Sequence, residues 1–513
     1  MESQLPVLVV GGSLVGLTAA VLLADQGVRC VVVERHPGTS IHPRFRGITV
    51  RSMEIYRGVG LEQRIREVGD VDEQLGVIAK ANTLADEELE MVAMPQEGAA
   101  TGVSPTELLA ADQDQLDPVL LDRARELGAD VRFNTQLVDF EADEQGVTAV
   151  LHDRATGTEH AVRASYLLAA DGARSSIRER LGIVRRGPGV FDHRMSMVFR
   201  ADLSRAVRGR VFFSCAIEKL GGAHLVRRRA GVWQLGVVYH PEQGEGPEDF
   251  PPQRCLDLLR TATGLPDLDA ELVSVLPWEL AALIAERYQC GRVFLVGDAA
   301  HVWPPYGGLN GNTGIQDVHN LAWKLAAVLN GTAWRDLLDT YEVERKPVAE
   351  LTMEWALRRM MQERAPTAAI QSPHDYSTIA LGYRYHSAVI IGDKAAAPTE
   401  NPRHPSGEPG TRAAHLTITD GAERLSTLDL FGHGPVLLTG AGGDGWARAA
   451  QHLGVAVHRI GDERLAEAYG IGEDGASLIR PDGFVAWRSQ TGVEQPERHL
   501  RRALAILLAK EDA

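Results

Sequence analysis

The chain has 513 residues, of which 44% are hydrophobic and 24% are charged, and its net charge at pH 7 is −16. This balance is typical of a soluble globular protein and excludes a mostly disordered, collagen-like or membrane-embedded chain. An acidic surface repels phosphate backbones, so we expect no nucleic-acid partner. Four cysteines form neither a CxxC pair nor a metal-ligand cluster, which predicts no metal site and a reducing, cytoplasmic location: Cys30, Cys215, Cys255 and Cys290. We recognise no signal peptide and no apolar run of about 20 residues, so no membrane partner is expected.

The first forty residues predict a strand, a helix and a second strand joined by a glycine-rich turn. Residues 6–10 (PVLVV) and 30–33 are apolar β-prone runs, and residues 14–25 have helical spacing. The turn GGSLVG (11–16) lets backbone N–H groups approach a pyrophosphate at the helix N-terminus. Glu34 can accept the hydroxyls of a ribose, which favours FAD or NAD over NADP. Because Ser13 replaces a glycine of the usual G-x-G-x-x-G pattern, a tight turn in another α/β protein is the alternative.

Two later apolar runs end in an aspartate beside a glycine. They are YLLAADGARSS, which contains Asp171, and RVFLVGD, which ends at Asp298. Aspartates after parallel strands point into the ligand crevice, so these runs indicate one extended ligand. The turn-rich segment 304–312 (PPYGGLNGN) opens a long amphipathic helix, whose N-terminus can stabilise negative charge on a reduced flavin. An ordinary loop-to-helix junction is the alternative there.

These motifs together resemble those of the class A, single-component flavoprotein monooxygenases, which hydroxylate aromatic rings. Within that family they resemble the aromatic polyketide hydroxylases of the anthracycline and angucycline type. The resemblance covers essentially the whole chain and rests on GGSLVG (11–16), DGARSSIR (171–178) and the segment 297–326. It implies an α/β fold with a Rossmann-like FAD-binding domain, an inserted substrate-binding domain of β-sheet and helices, and a C-terminal thioredoxin-like domain lacking CxxC. We place these parts, in order, at 1–180 with 280–390, at 181–279 with contributions from about 75–110, and at 413–513 after a linker at 391–412.

The resemblance also implies roles for individual residues. Glu34 corresponds to the ribose-binding acid, Gln113 to a glutamine that contacts FAD, and Asp298 to the aspartate that holds the ribityl chain. Arg44 and Pro305 lie at the flavin's reactive edge and are the candidate catalytic residues. The amides of two further residues are expected to face flavin N1 and O2, and the complete set of cofactor-binding candidates is Gly11, Ser13, Leu14, Val15, Gly16, Glu34, Arg35, Arg44, Gln113, Asp171, Gly297, Asp298, Pro305, Gly308, Gly311 and Asn312, of which Gly311 and Asn312 supply those amides.

The implied reaction is an NAD(P)H-driven hydroxylation. NADPH or NADH reduces FAD, the reduced flavin and O2 form a C4a-hydroperoxide, and its distal oxygen passes to an electron-rich carbon of a phenolic or polyketide ring. The expected partners are therefore a small aromatic or polycyclic substrate and O2, and the oligomeric state is left open. The alternatives are Baeyer–Villiger oxygenation on the same scaffold, an FAD oxidase or dehydrogenase, and a flavin-binding accessory protein.

Several features leave questions open. Asn310 and Phe45 stand where the family commonly has glycine and alanine. His301 is either a base for the substrate phenol or a structural hydrogen-bonding group. Three other side chains are weaker candidates near the flavin or the substrate: Arg46, Arg384 and Tyr385. Finally, GAGGDG at 440–445 matches the dinucleotide pattern better than the N-terminal turn does, so a separate NAD(P)H-binding domain is an alternative reading of the tail.

Overall fold

The computed structural model of the chain describes residues 5–69, 77–93, 102–365, 372–392, 395–420 and 423–510. The N-terminal elements are β1 (Leu5–Val10), α1 (Leu14–Asp25), β2 (Cys30–Val33), β3 (Gly47–Ile48), α2 (Val50–Gly58), α3 (Glu62–Val68), β4 (Val77–Ala81), β5 (Glu90–Ala93), β6 (Leu109–Ala110), α4 (Gln113–Glu126), β7 (Asp130–Arg132), β8 (Thr135–Ala142), β9 (Val147–Asp153), β10 (Thr158–Ala169) and α5 (Ser176–Arg180).

The middle elements are β11 (Arg185–Arg200), α6 (Ser204–Val207), β12 (Ser214–Ile217), β13 (Ala223–Arg229), β14 (Val232–Tyr239), α7 (Pro252–Thr263), β15 (Glu271–Ala285), β16 (Gln289–Cys290), β17 (Val293–Leu295), β18 (His301–Val302), α8 (Leu309–Leu329), α9 (Thr340–Arg364) and α10 (Tyr376–Leu381). The C-terminal elements are β19 (Thr417–Asp420), β20 (Glu423–Ser426), β21 (Val436–Gly440), α11 (Asp444–Leu453), β22 (Ala456–Ile460), α12 (Arg464–Tyr469), β23 (Ala476–Ile479), β24 (Val485–Ser489) and α13 (Pro496–Leu507).

The first sheet has the order β16-β17-β10-β1-β2-β7, and β9 and β8 extend it from β10. Strand β1 pairs in parallel with β2 and β10, and β10 pairs in parallel with β17. The two apolar runs near the N-terminus are buried strands in this sheet, which confirms the predicted strand–helix–strand unit. Strands β1 and β2 are apolar on both faces because both faces of the sheet are covered.

The second sheet has eight strands in the order β18-β15-β11-β14-β13-β12-β4-β5. One of its faces packs on α7 through a core that includes Met197, Phe199, Leu235 and Leu259. The short strand β18 follows the first sheet's β17 and pairs with β15, so the two sheets meet beside residues 297–302. The β-prone run at residues 210–217 predicts a strand, but the strand begins only at Ser214, where the pairing of β12 with β13 and β4 begins.

The C-terminal part is a mixed α/β unit. Its sheet has the order β22-β21-β23-β24, with β21 parallel to β22 and antiparallel to β23. The apolar runs at 436–439 and 455–460 predict two strands, and the turn at residues 481–483 predicts a hairpin. All three are confirmed. Its core includes Trp446, Leu478 and Leu500 together with Trp323 of α8, so it packs directly against the first part of the chain.

The cysteines and helices agree with the composition. All four cysteines are free thiols, and burial raises the pKa of Cys30 to about 12 and that of Cys215 to about 11. Within the described ranges, each helix is too short or too polar to cross a lipid bilayer.

Candidate active site

The carboxyl ends of four strands lie along one edge of the first sheet. Strands β2, β1, β10 and β17 are neighbours in that order and all pair in parallel, so their ends point the same way. Gly11, Glu34, Asp171 and Gly297 each follow one of these strands within two residues. Candidates that are far apart in sequence are therefore brought to one crevice, where parallel α/β sheets bind ligands.

The first turn is tightly packed and leaves a helix N-terminus open. Gly11 has a φ of +111°, and a Cβ there would lie 2.2 Å from the carbonyl oxygen of Ala170. A Cβ on Gly16 would lie 1.8 Å from the carbonyl oxygen of Gly11, so both positions require glycine. Ser13 is the N-cap of α1 but makes no side-chain cap bond, and Leu14 and Val15 begin the helix. The N–H groups of this first turn thus lack intrahelical acceptors and face the crevice.

Ser13 instead belongs to a buried polar cluster on α4. Its hydroxyl donates to Asp117 Oδ2 at 3.0 Å and accepts from Gln113 Nε2 at 2.5 Å. Asp117 is fully buried, and burial raises its pKa to about 7. The structure thus places Gln113 beside the turn 11–16 and adds an acid that the sequence analysis missed, whereas the predicted contact of Gln113 with FAD stays a prediction.

Glu34 reaches back from the end of β2 to the same turn. Its Oε2 accepts from the Gly12 N–H at 2.7 Å, and its Oε1 accepts from the backbone N–H of His36 at 2.9 Å. These bonds hold the carboxylate at the crevice with its side chain 11% exposed. The neighbouring Arg35 is exposed, and its carbonyl oxygen accepts from Arg154.

Asp171 lies in the turn after β10. Its Oδ2 accepts from the Ile177 N–H at 3.3 Å, whereas its buried Oδ1 has no hydrogen-bond partner among the described residues. Burial raises the pKa of Asp171. Arg178 donates to the carbonyl oxygens of Ala173 and Ala299, which ties this turn to the one after β17.

Asp298 is held from behind by Asn310. Asn310 Nδ2 donates to Asp298 Oδ1 at 2.9 Å. Asn310, which stands where the family commonly has glycine, therefore contacts the aspartate that is the candidate for binding the ribityl chain. Burial raises the pKa of Asp298, and His301, Arg44 and Asn310 oppose that effect. Arg44 is therefore close enough to Asp298 to act on it electrostatically.

Helix α8 begins at this place with a second uncapped N-terminus. Its N-cap, Gly308, has a φ of +65° and offers no capping side chain. A Cβ on Gly311 would lie 2.7 Å from the ring of Phe45, so the ring lies against the first turn. The side chain of Asn312 is buried and donates to the carbonyl oxygens of Gly308 and Gly47. Counting from the N-cap, the backbone N–H of Asn312 is the first in the helix that has an intrahelical acceptor.

The two uncapped helices touch through small residues. A Cβ on Gly314 of α8 would lie 2.7 Å from Val15 Cγ2 of α1 and 3.0 Å from the Cα of Gly297. Gly297 itself has a φ of +59° and faces the same valine. This close contact brings the N-termini of α1 and α8, both positive ends of helix dipoles, to one crevice.

The two candidate catalytic residues lie exposed at the crevice. Pro305 precedes the Tyr306–Gly308 turn, and its carbonyl oxygen accepts from the Gly308 N–H at 3.2 Å. Arg44 is exposed, in contrast to Arg46, which is buried and donates to the carbonyl oxygens of Arg227 and Arg228. Arg46 thus joins the loop to the second sheet, which is a structural role.

His42 makes a second connection to that sheet, and sequence reasoning missed it. Its Nδ1 lies 2.6 Å from Ser274 Oγ and its Nε2 lies 3.1 Å from Ser196 Oγ. Burial, Arg44 and Arg228 lower the pKa of His42 to about 4, so it is neutral at pH 7. The alternation of β11 and β15 gives no signal for this link, because the partner histidine lies on a distant loop.

Three other sequence candidates are not brought to the crevice. Tyr385 is buried, bonds Arg345 at 3.1 Å and stacks on Phe484 with ring centres 4.1 Å apart. Arg384 pairs with Glu400 at 3.4 Å. The turn at 440–445 is filled by protein, since Cβ atoms on Gly440 and Gly443 would lie 2.3 Å from the carbonyl oxygen of Glu473 and 1.7 Å from Thr439 Oγ1. That turn follows β21 of the C-terminal sheet and is not part of the edge that carries the other candidates.

Comparison with known proteins decides the family. A family described as FAD binding domain matches residues 4–356, and one described as aromatic-ring hydroxylase, C-terminal, matches residues 406–510. The chain belongs to the FAD-dependent aromatic-ring hydroxylases. This hydroxylase is 42% identical to tetracenomycin A2 monooxygenase-dioxygenase of Streptomyces glaucescens, over 99% of this chain and 97% of that protein. It is 40% identical to 4-methyl-5-nitrocatechol 5-monooxygenase of a Burkholderia species, over 99% and 98% of the two chains.

A solved structure matches at the same level. Aklavinone-11 hydroxylase in complex with FAD and aklavinone superposes with a TM-score of 0.90 at 40% identity, over 99% of this chain and 100% of that chain. The resemblance, the fold at the level of an α/β FAD-dependent hydroxylase, and the monooxygenase activity on aromatic rings are thereby confirmed.

The crevice of this hydroxylase fits FAD on its own evidence. Two uncapped helix N-termini provide free N–H groups for phosphate and for an anionic ring. Carboxylates of Glu34, Asp171 and Asp298 line the same edge, and Asp171 Oδ1 is a buried acceptor without a protein donor among the described residues. The hydroxyl groups of FAD are donors of the kind that such acceptors need.

Proposed function

We propose that this hydroxylase uses NADPH or NADH to drive hydroxylation of a polycyclic phenol of the aromatic polyketide type. The observation that carries this proposal is the face of the second sheet that points away from α7, which combines polar and aromatic side chains beside the flavin crevice. The names of two similar proteins, which refer to tetracenomycin A2 and aklavinone, support the same substrate class.

We assign the adenine-side contacts to the N-terminal turn and the ribityl contacts to the turn after β17. The N–H groups at the start of α1 bind the pyrophosphate, and Glu34 accepts the ribose hydroxyls. Asp298 accepts from the ribityl chain, and Asp171 and Gln113 lie along the groove between. The start of α8, with Gly308 and Gly311, stabilises negative charge on the reduced ring.

Bound FAD supplies the redox chemistry: it accepts a hydride from NAD(P)H and delivers one oxygen atom of O2 to the substrate. The chain's own residues orient the flavin and the substrate relative to each other, and they exclude water. Pro305 and Arg44 border the reactive edge, and Arg46 and His42 fix the 42–46 loop to the second sheet, so the flavin edge and the substrate wall keep one geometry.

The substrate wall is a row of cross-strand neighbours. His224 pairs with Gly236, and Gly236 pairs with Ser196, so these three residues share one face. Met195, Leu225 and other core residues on the same strands face α7, and the row therefore points the opposite way. A Cβ on Gly236 would find no heavy atom nearer than 3.9 Å, so glycine leaves a gap between His224 and Ser196 where a flat ring fits.

Two aromatic and charged groups border that gap. Arg194 lies two residues before Ser196 on β11, and its guanidinium lies 5.7 Å from the ring centre of Trp278 on the neighbouring strand β15. Burial and Arg194 lower the pKa of His224 to about 4, so the imidazole is neutral and can accept a hydrogen bond from a phenol. Trp278 thus gives the wall a stacking surface, and His224 gives it a hydrogen-bond acceptor.

We further propose that the C-terminal unit is a thioredoxin-like fold without redox activity. Its four-stranded mixed sheet with helices on its faces supports that fold. Dithiol chemistry needs paired cysteines, and all four cysteines of the sequence precede residue 291. The unit then serves as a structural support for the FAD-binding part.

The experiment that tests the function follows oxygen and electrons together. The FAD-loaded protein is given NADPH or NADH, isotopically labelled O2 and a panel of polycyclic phenols and simple catechols. We expect a polycyclic phenol to accelerate NAD(P)H oxidation and to gain one labelled oxygen as a ring hydroxyl. An inserted ester oxygen, or hydrogen peroxide without oxygenated product for every phenol, would contradict the proposal.

A further inference from the structure

A buried chain of hydrogen bonds continues behind Asp298. Asn310 Nδ2 donates to Asp298 Oδ1 at 2.9 Å, and Asn310 Oδ1 lies 3.4 Å from His301 Nδ1. His301 Nε2 lies 2.7 Å from Asp317 Oδ2, and Arg345 Nε donates to Asp317 Oδ1 at 2.8 Å. The side chains of His301, Asp317 and Arg345 are 0% exposed, so the protein alone determines these contacts.

The directions of these bonds fix the protons on His301. The Asp298 carboxylate only accepts, so Asn310 turns its amide NH2 toward it and its carbonyl oxygen toward His301. A carbonyl oxygen also only accepts, so Nδ1 must carry a hydrogen. Nε2 must carry one as well, because it faces the carboxylate of Asp317. Both ring nitrogens of His301 are therefore donors.

We infer that His301 is a buried imidazolium that acts through Asn310 as a positioning residue, holding the Asp298 carboxylate ready for the ribityl chain of FAD. This inference rests on the proposed role of Asp298. It also answers the question left open by the sequence, because an imidazolium has no free nitrogen to accept a proton from a substrate phenol.

His301 lies between the two acids of this hydrogen-bond chain, Asp317 and Asp298. Arg345 bonds Asp317, and Arg44 acts on Asp298 electrostatically, so each acid also has an arginine near it. Burial alone would raise the pKa of Asp317, but His301 and Arg345 hold it below its ordinary value. A positive charge on His301 stabilises both carboxylates, because buried charges need partners in a low-dielectric interior.

Aromatic packing around the ring agrees with a cation. Trp303 stacks on His301 with ring centres 4.8 Å apart and planes inclined by 17°, a geometry that favours a positive ring. Tyr288 packs at 6.1 Å, and its phenol is neutral because burial raises its pKa well above the ordinary value. The groups that face the imidazole are thus Asp317, Asn310 and two neutral aromatic rings.

The protonation state can be read directly by NMR. FAD-loaded protein with 15N-labelled histidine gives ring-nitrogen signals, and those of His301 are identified by their loss in His301→Gln. We expect both ring nitrogens to be protonated at pH 7.5, because both face hydrogen-bond acceptors. A neutral ring with one unprotonated nitrogen at pH 7.5 would overturn the inference.

The positioning role is tested by FAD affinity. Asn310→Ala keeps a helix-favouring residue in the first turn of α8, so the variant is expected to fold. Losing one hydrogen bond to a charged group should weaken FAD binding about tenfold, measured by quenching of flavin fluorescence. The control is Asn330→Ala at the other end of the same helix, where the side chain accepts hydrogen bonds from Thr332, and its affinity should be unchanged. Equal affinities in both variants would overturn the positioning role.

His301→Gln adds a pH signature that a merely structural residue would not give. The cation lowers the pKa of Asp298, so its loss should raise that pKa and shift the weakening of FAD binding at acid pH to a higher pH. An unshifted profile would contradict the inference. A wild-type protein that bound no FAD would instead overturn the proposed function, and the NMR spectrum would still report the charge on His301.

Discussion

Asp117 is an acid buried beside the turn that we assign to an anionic pyrophosphate. Ser13 and Gln113 both bond its Oδ2, and its Oδ1 has no partner in the described part of the chain. A charged carboxylate there would be desolvated and close to phosphate, so the neutral acid is the favoured form. Ser13 thus replaces glycine because its hydroxyl serves this acid.

Asp117→Asn should remove a pH dependence of stability. Burial raises the pKa of Asp117 from 3.8 to about 7, so the folded protein holds a proton that the unfolded chain releases between these values. The stability due to this proton is complete below about pH 4 and is lost as the pH rises to about 7. At pH 4 the asparagine variant should therefore melt at or below the wild-type temperature, and at pH 8 it should melt clearly above it. A constant difference in melting temperature between the two proteins across this range would contradict the assignment.

His224→Phe should raise the KM for the aromatic substrate about tenfold, because the wall loses its hydrogen-bond acceptor but keeps a ring of similar size. The rate of flavin reduction without substrate should not change. His240→Phe is the control, since His240 is exposed and contacts Glu242. Steady-state kinetics of both variants are the measurement, and an unchanged KM in His224→Phe would remove His224 from the wall.

At this scale the sequence predicts residues that belong to a recognisable motif and misses those that depend on distant partners. Glu34, Asp171 and Asp298 are predictable because each follows an apolar strand, and the structure brings them to one edge. Their contacts with FAD remain a prediction. Asp117 and His42 are missed because each bonds a side chain that lies 104 or more residues away.

Among the elements, the contact between α1 and α8 fixes where the two open helix N-termini meet. Gly314→Ala should separate them, because the added methyl group would lie 2.7 Å from Val15 Cγ2 and 3.0 Å from the Gly297 backbone. Overpacking of this kind costs about 1–3 kcal/mol. We expect a lower melting temperature and weaker FAD retention, with partial recovery in Gly314→Ala/Val15→Ala. Gly58→Ala is the matched control, since that helical glycine has no atom within 4 Å of the added Cβ; equal behaviour of the two single variants would refute the contact.

Elements are predictable from sequence where their pattern is local. The strand–helix–strand unit, α8 and the C-terminal hairpin all show apolar runs or helical spacing bounded by turn residues. The second sheet is less predictable, because its order depends on pairing between distant segments: β4 joins β12 in parallel although more than 130 residues separate them. Residues 210–217 show the limit, since only the part from Ser214 onward forms the paired strand β12.

In the molecule as a whole, the C-terminal unit is joined to the FAD-binding part by buried charges. Arg480 donates to both oxygens of Glu344, at 2.7 and 2.8 Å, and also to Asp482. Lys324 donates to Glu344 as well, and all these side chains are at most 1% exposed. Burial alone would raise the pKa of Glu344, but Arg480 and Lys324 hold it far below its ordinary value.

Arg480→Met should destabilise both parts together. It leaves Glu344 with one cation, and breaking a buried ion pair typically costs about 3–5 kcal/mol. We expect a lower melting temperature with earlier release of FAD in the same transition, followed by flavin fluorescence. The control is Arg501→Met, whose arginine is 67% exposed and pairs with Glu497 on the surface. If the C-terminal unit melted separately while FAD stayed bound, the claim that buried ion pairs join the two parts would be contradicted.

The central claim is that one FAD lies along the edge formed by β2, β1, β10 and β17, between the N-terminal turn and the start of α8. A crystal structure of the FAD-loaded hydroxylase tests it most directly. We predict the pyrophosphate at residues 11–16, the ribityl chain at Asp298 and the ring beside Pro305 and Gly308. A pyrophosphate bound at the turn 440–445, or a ring remote from the start of α8, would contradict the account.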